Sequence, residues 1–111
     1  MRYRGSCHCG AVTFAFDEES PITEGRRCNC SICVRKGVVM SARYHELAEV
    51  TGLADLSVYL WNDRDCCHYF CPTCGIFPFS EAGGRYRINL GCVDGVDPLA
   101  LHIEIIDGRS L

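Results

Sequence analysis

Cys71-Pro72-Thr73-Cys74-Gly75 is followed directly by Ile76-Phe77-Pro78-Phe79, and that sequel decides how the cysteine pair is read. A C-x-x-C pair closed by glycine turns the chain tightly, aims backbone N–H groups at the sulfurs and uses glycine for the unusual φ at the end of the turn. Pro72 presets its own φ and stiffens that turn. The competing meaning of C-x-x-C is a thioredoxin-like redox pair, which needs a strand leading into a helix that lowers the thiol pKa. Pro78 argues against a helix after the pair. The stretch therefore reads as a zinc knuckle set among strands.

Outward from the knuckle the pattern is mostly period two. Gly10-Ala11-Val12-Thr13-Phe14-Ala15-Phe16 alternates, with Val12, Phe14 and Phe16 on one face, until Asp17-Glu18-Glu19-Ser20-Pro21 ends it. Leu56-Ser57-Val58-Tyr59-Leu60-Trp61 alternates in the same way and stops at the turn-rich Asn62-Asp63-Arg64-Asp65. Further strands are expected near 38–43, 66–70, 76–80, 85–90 and 99–106. Glu81-Ala82-Gly83-Gly84 reads as a hairpin loop, because paired glycines accept positive φ cheaply. No segment sustains a 3.6-residue period over twelve residues, and Tyr44-His45-Glu46-Leu47-Ala48 offers one helical turn at most. Asp94 and Asp97 read as turn residues. The expectation is an all-β chain of short strands forming one domain over residues 1–111.

Composition explains why such a fold needs help. Ten cysteines stand among 111 residues, and the 48% apolar share falls below two fifths once they are set aside. That is a thin supply for a compact core, so disulfides or metal must contribute. Met1-Arg2-Tyr3-Arg4-Gly5-Ser6 runs into Cys7 with no apolar leader and no cleavage pattern, which leads to the expectation of a cytoplasmic chain with reduced thiols. Clustered cysteines then read as metal ligands. Nothing approaches the roughly 18 apolar residues needed to span a bilayer, so no membrane partner is expected. A formal charge of −3 and a pI near 5.7 disfavour nucleic acid, whose phosphates call for a basic surface. The short basic clusters Arg26-Arg27, Arg35-Lys36 and Arg85-Tyr86-Arg87 read as solvated faces.

Seven of the ten cysteines fall in three motifs: Cys7-His8-Cys9-Gly10, Cys28-Asn29-Cys30-Ser31-Ile32-Cys33 and the knuckle. In an extended C-x-C, residues i and i+2 point to one side and can address one ion without a turn. Zinc–sulfur bonds of about 2.3 Å in a tetrahedron put the sulfurs roughly 3.8 Å apart. A closed structural zinc takes four protein ligands, whereas a catalytic one takes three and keeps a position open. The simplest partition is Cys7, Cys9, Cys71 and Cys74 on one ion and Cys28, Cys30 and Cys33 on a second. Counting leaves alternatives: Cys30 and Cys33 can join Cys71 and Cys74 as a ribbon, and the fourth position can be filled by Cys66, Cys67, Cys92, His8, His45 or His68. Singly, each leftover cysteine reads as a small buried hydrophobe and each histidine as a hydrogen-bonded strand residue. A four-cysteine iron–sulfur cluster is disfavoured, since the spacing differs from the ferredoxin runs.

On these residues the chain resembles the glutathione-dependent formaldehyde-activating enzyme family, also known as the centromere protein V/Gfa-like domain. The resemblance is carried by Gly5-Ser6-Cys7-His8-Cys9-Gly10-Ala11-Val12, by Cys28 to Cys33 followed by Arg35-Lys36-Gly37, by Phe70-Cys71-Pro72-Thr73-Cys74-Gly75 and by Arg87-Ile88-Asn89-Leu90-Gly91-Cys92-Val93-Asp94. It spans roughly residues 5–107 and implies a β-tent-like fold of small antiparallel sheets. It also implies two Zn²⁺ ions, a structural one on Cys7, Cys9, Cys71 and Cys74 and a catalytic one on Cys28, Cys30 and Cys33. The implied activity is carbon–sulfur lyase chemistry, the reversible joining of formaldehyde and glutathione into S-hydroxymethylglutathione. Arg35 and Lys36, just beyond the triple, are candidates to meet carboxylates of a small thiol substrate such as glutathione. The rival class is a non-catalytic zinc module, with both sites closed, that binds thiols or partners. No Ser-His-Asp or paired-carboxylate signature is present to support a hydrolase.

Overall fold

The computed structural model describes residues 1–61 and 66–110, so the turn expected at Asn62 to Asp65 lies outside the described residues. Among the described residues, nine strands form three sheets. β1 (Arg2–Ser6), β2 (Thr13–Asp17) and β4 (Glu49–Thr51) make an antiparallel sheet with β2 in the middle. β5 (Ser57–Trp61), β6 (Cys66–Phe70), β7 (Phe79–Ala82) and β8 (Arg85–Ile88) form an antiparallel meander. β3 (Glu24–Cys28) and β9 (His102–Ile106) pair in parallel, a departure from a wholly antiparallel arrangement. Met40 bridges both Arg26 and Asn89, which sets the parallel pair beside the end of β8. The all-β expectation with small sheets holds.

The core follows from the alternation of β2. Phe14 and Phe16 are buried and join Phe79, Ile88, Leu90 and Val93 in the main cluster. Phe79 meets Phe14 and Tyr86 edge-on, at 5.5 and 5.2 Å between ring centroids, the geometry that ring quadrupoles favour. Each fully buried side chain of this size contributes roughly 1.5–3 kcal/mol. A smaller cluster of Cys7, Val12 and Cys71 packs against Leu56, Cys74 and Ile76 and shares its sulfurs with the first metal group described below.

Several expected elements are corrected. Residues 38–43 contain only the Met40 bridge, and 44–48 contain no helical turn: His45 instead bridges Tyr86. β7 starts at Phe79 and keeps Glu81 and Ala82, so the hairpin turn is Gly83-Gly84 alone, with φ of 60° and 81°. β1, β3 and β4 were not expected from their polar sequences. β1 is held by backbone pairing to β2 while Arg2 and Arg4 reach Asp17 and Glu49 at the surface. α1 (Ser31–Lys36) is a six-residue helix, too short to register as a period; it stops at Gly37, whose φ of 62° is the left-handed cap. Among the described residues, no helix is long and apolar enough to cross a membrane.

Candidate metal centres

The first group is built by two turns facing each other. Cys71 follows β6; its N–H donates to the Ile76 carbonyl and its carbonyl accepts from Gly75 at 2.8 Å, closing the knuckle with Gly75 at φ 78°. Cys7 follows β1, and here the extended C-x-C expectation is corrected: Cys7–Gly10 is a second turn, with the Cys7 N–H donating to the Val12 carbonyl and Gly10 at φ 83°. The Sγ atoms of Cys7, Cys9, Cys71 and Cys74 all lie within 4.8 Å of one another. Cys9 Sγ stands 3.6 Å from both Cys7 Sγ and Cys71 Sγ, close to the separation that tetrahedral zinc requires. The Val12 N–H points at Cys7 Sγ at 3.4 Å. The Cys74 thiol is brought down to about 6 by backbone N–H groups of Ile76 and Cys9. Four sulfurs this close repel one another as thiolates, and a divalent cation removes that conflict.

The second group sits where β3 runs into α1. Cys28 ends β3, Cys30 precedes the helix and Cys33 lies one turn in. Their three Sγ atoms again fall within 4.8 Å of one another. The ribbon alternative that joins Cys30 and Cys33 to Cys71 and Cys74 is not the arrangement found. Burial opposes ionisation of Cys30, but backbone N–H groups of Cys33 and Ile32 and the neighbouring Cys33 and Cys28 thiols outweigh it and bring the thiol down. Burial and then Cys30 push Cys33 up to about 12. An all-sulfur donor set of this spacing fits a soft or borderline cation.

The parallel register explains what surrounds this group. Cys28 pairs with Ile106, so β9 delivers Asp107 to Arg109 onto the cysteine loop. The Asn29 amide donates to Asp107 Oδ1 and accepts from the Arg109 N–H, each at 2.9 Å. Gly108 lies flat on the sulfurs: a Cβ there would collide with Cys28 Sγ and come within 3.2 Å of Cys30 Cβ. Spacing alone did not reveal these contacts; the Asp107-Gly108 turn pair was the one local signal.

A cavity of about 170 Å³ opens beside the second group, with Cys28, Cys33, Lys36 and His68 among its lining residues. Lys36 is half-buried; its ammonium sits 3.4 Å from the Phe77 ring centroid and contacts His68 Nδ1. Burial brings Lys36 down to about 8, against the pull of nearby Cys33 and Cys66, and brings His68 down to about 4 with help from the Lys36 charge. Arg35, by contrast, is exposed and turns back to the Ser31 carbonyl at 2.8 Å, outside the cavity lining. Cys66 lines the cavity, Cys92 points at the Phe77 carbonyl near the first group, and Cys67 pairs across to Glu81. None of Cys66, Cys67, Cys92, His8, His45 or His68 joins either sulfur group among the described residues. His45 is bonded to Glu18, whereas buried His68 Nε2 has no partner among the described residues.

The family model described as glutathione-dependent formaldehyde-activating enzyme matches residues 2–106. A crystal structure of a Rhodobacter sphaeroides protein superposes with a TM-score of 0.74 at 30% identity, covering 90% of this chain and 97% of that one.

Proposed function

The chain belongs to the glutathione-dependent formaldehyde-activating enzyme family, and from that premise we propose that it is a carbon–sulfur lyase-type enzyme acting on the adduct of a small thiol and an aldehyde, as in S-hydroxymethylglutathione. One observation carries the reading: Cys28 and Cys33 line an open cavity, while Cys7 and Cys71, at 2% and 1% exposure, are sealed in a packed cluster. A closed four-ligand site beside an open three-ligand site is the division of labour expected of structural and catalytic zinc. We assign Zn²⁺ to both, with Cys7, Cys9, Cys71 and Cys74 structural and Cys28, Cys30 and Cys33 catalytic. Zinc at the second site supplies a cation that favours the thiolate form of an incoming thiol.

The chain's own residues supply the rest. When the thiolate sulfur adds to the aldehyde carbon, the C–S bond forms and the π pair moves to oxygen, which needs a proton. The Lys36 ammonium is in the cavity to give it, and burial places its pKa near the working range for acid and base duty. In the cleaving direction Lys36 as an amine takes the hydroxyl proton, the carbonyl reforms and the sulfur leaves as thiolate. His68, held neutral beside Lys36, positions the ammonium by accepting at Nδ1. Arg35 stays a candidate for the outer part of a larger thiol such as glutathione. The reduced thiols this chemistry needs would suit a cytoplasmic setting, and the formal charge of −3 argues against nucleic acid as a partner.

The test is metal content read with activity. Wild type should hold two zincs per chain, and Cys30→Ser should hold one, keep its fold and lose any rate above the uncatalysed addition of formaldehyde to thiols. A folded Cys30→Ser protein that retains the wild-type rate would overturn the proposal. Two zincs with no rate above background would favour the non-catalytic zinc module.

A further inference from the structure

The cavity beside Cys28 and Cys33 carries more charge than a bare thiol requires. Arg26, Lys36 and Arg87 line it, and among the described residues no carboxylate does. Arg26 comes from β3 and Arg87 from β8, two strands set side by side by the Met40 bridges. The Nε atoms of both arginines are buried with no hydrogen-bond partner among the described residues. An unmet buried guanidinium N–H is costly, and the cost is relieved when an acceptor arrives. Arg26 forms an ion pair with Glu104 at the surface, at 3.6 Å from Nε and beyond hydrogen-bonding range. The Arg87 guanidinium stacks on the Tyr44 ring at 4.4 Å, which fixes its plane and leaves its edge for a planar acceptor. Carboxylate is the anion whose geometry matches such an edge in two parallel bonds.

Size narrows the class further. At about 170 Å³ the cavity falls below the roughly 300–1,000 Å³ of sites that enclose drug-sized ligands. It has room for a sulfur, a few methylenes against Trp61 and Ile106, and one carboxylate. We propose that this cavity selects a small anionic thiol, with Arg26 and Arg87 holding a carboxylate a few bonds from the sulfur that addresses the three-cysteine centre. The inference rests on that centre having an open position, as set out above. A whole tripeptide is not needed to fill the seat, and whatever extends beyond the carboxylate lies outside it.

Calorimetric titration of the zinc-loaded full chain tests this with 3-mercaptopropionate, 2-mercaptoethanol, cysteamine and glutathione as probes. The anionic thiol should bind at least about tenfold more tightly than neutral 2-mercaptoethanol, and cationic cysteamine should bind most weakly. Glutathione should bind no more tightly than 3-mercaptopropionate. In Arg87→Gln and Arg26→Gln the preference for 3-mercaptopropionate should fall below about threefold, with 2-mercaptoethanol affinity within about twofold of wild type. Equal wild-type affinities for the anionic and neutral thiols overturn the inference while leaving the open centre intact, and the wild-type comparison stands even if a variant fails to fold. Glutathione binding tenfold more tightly than 3-mercaptopropionate also overturns it. If no thiol binds, the open centre itself is refuted and the inference falls with it.

Discussion

Gly108 has space for a hydrogen and nothing larger, because Cys28 Sγ occupies the volume a methyl group would need. The obstacle is a ligand sulfur rather than backbone strain, so substitution acts on the metal centre before it acts on the fold. Gly108→Ala is expected to lower bound zinc from two per chain to one, at a stability cost of about 1–3 kcal/mol. Metal analysis beside a denaturant curve checks this, and retention of both ions with wild-type stability would refute it. The site was unevenly legible at this scale. Seven cysteines announced themselves through spacing, and Lys36 through its place after the triple. Arg26, Arg87 and Gly108 are remote from the motifs in sequence. They come to the cysteine loop or its cavity only through the β3–β9 register and the Met40 bridges, and no single stretch of sequence records either.

Between elements, the segment after β2 is tied to the loop before β4 by Glu18, which bonds both His45 and Arg43, the latter at 2.7 Å. Burial alone raises the Glu18 carboxyl, but the His45 and Arg43 bonds outweigh it and hold the group below its ordinary 4.5. A depressed carboxyl favours the fold at pH values above the unfolded pKa, and that contribution drains away as pH falls through the lower folded value. Glu18→Gln should therefore cost about 1–3 kcal/mol at neutral pH. The gap between wild type and variant should close on acidification below about 4.5; a gap independent of pH sinks the argument. β2 itself was readable, since Phe14 and Phe16 alternate with small residues and fall in the core. β1, β3 and β4 were not, because their stability comes from backbone pairing with a neighbour and not from apolar side chains of their own. α1 escaped notice because six residues complete fewer than two turns.

Over the whole molecule, the proposed function has the two sulfur groups divide the work of holding and reacting. Three of the four cysteines in the first group, Cys7, Cys71 and Cys74, belong to a packed cluster, and with exposed Cys9 they join turns 62 positions apart, so a bound ion would act as a long-range clip. Structural zinc can contribute roughly 10–16 kcal/mol of apparent folding energy, more than a core this small is expected to supply. A strong chelator should accordingly remove the ions in two stages: the first with circular dichroism unchanged, the second together with unfolding. Coincident loss of both ions and of structure would refute the division. If both groups hold Zn²⁺ as proposed, seven thiolates and two ions would take the formal charge of −3 to about −6, a value that disfavours phosphate backbones.

The contact of the Asp107–Arg109 segment with the cysteine loop has a consequence in time. Asn29 and Arg109, which bond across the centre, are 80 positions apart. At about 5–20 residues per second a ribosome needs several seconds or more to pass from one to the other. During that interval Cys28, Cys30 and Cys33 exist without the glycine that later covers them. The nascent chain thus presents three uncovered thiols before β9 and Gly108 arrive, an interval in which a cation could reach them without the glycine in the way.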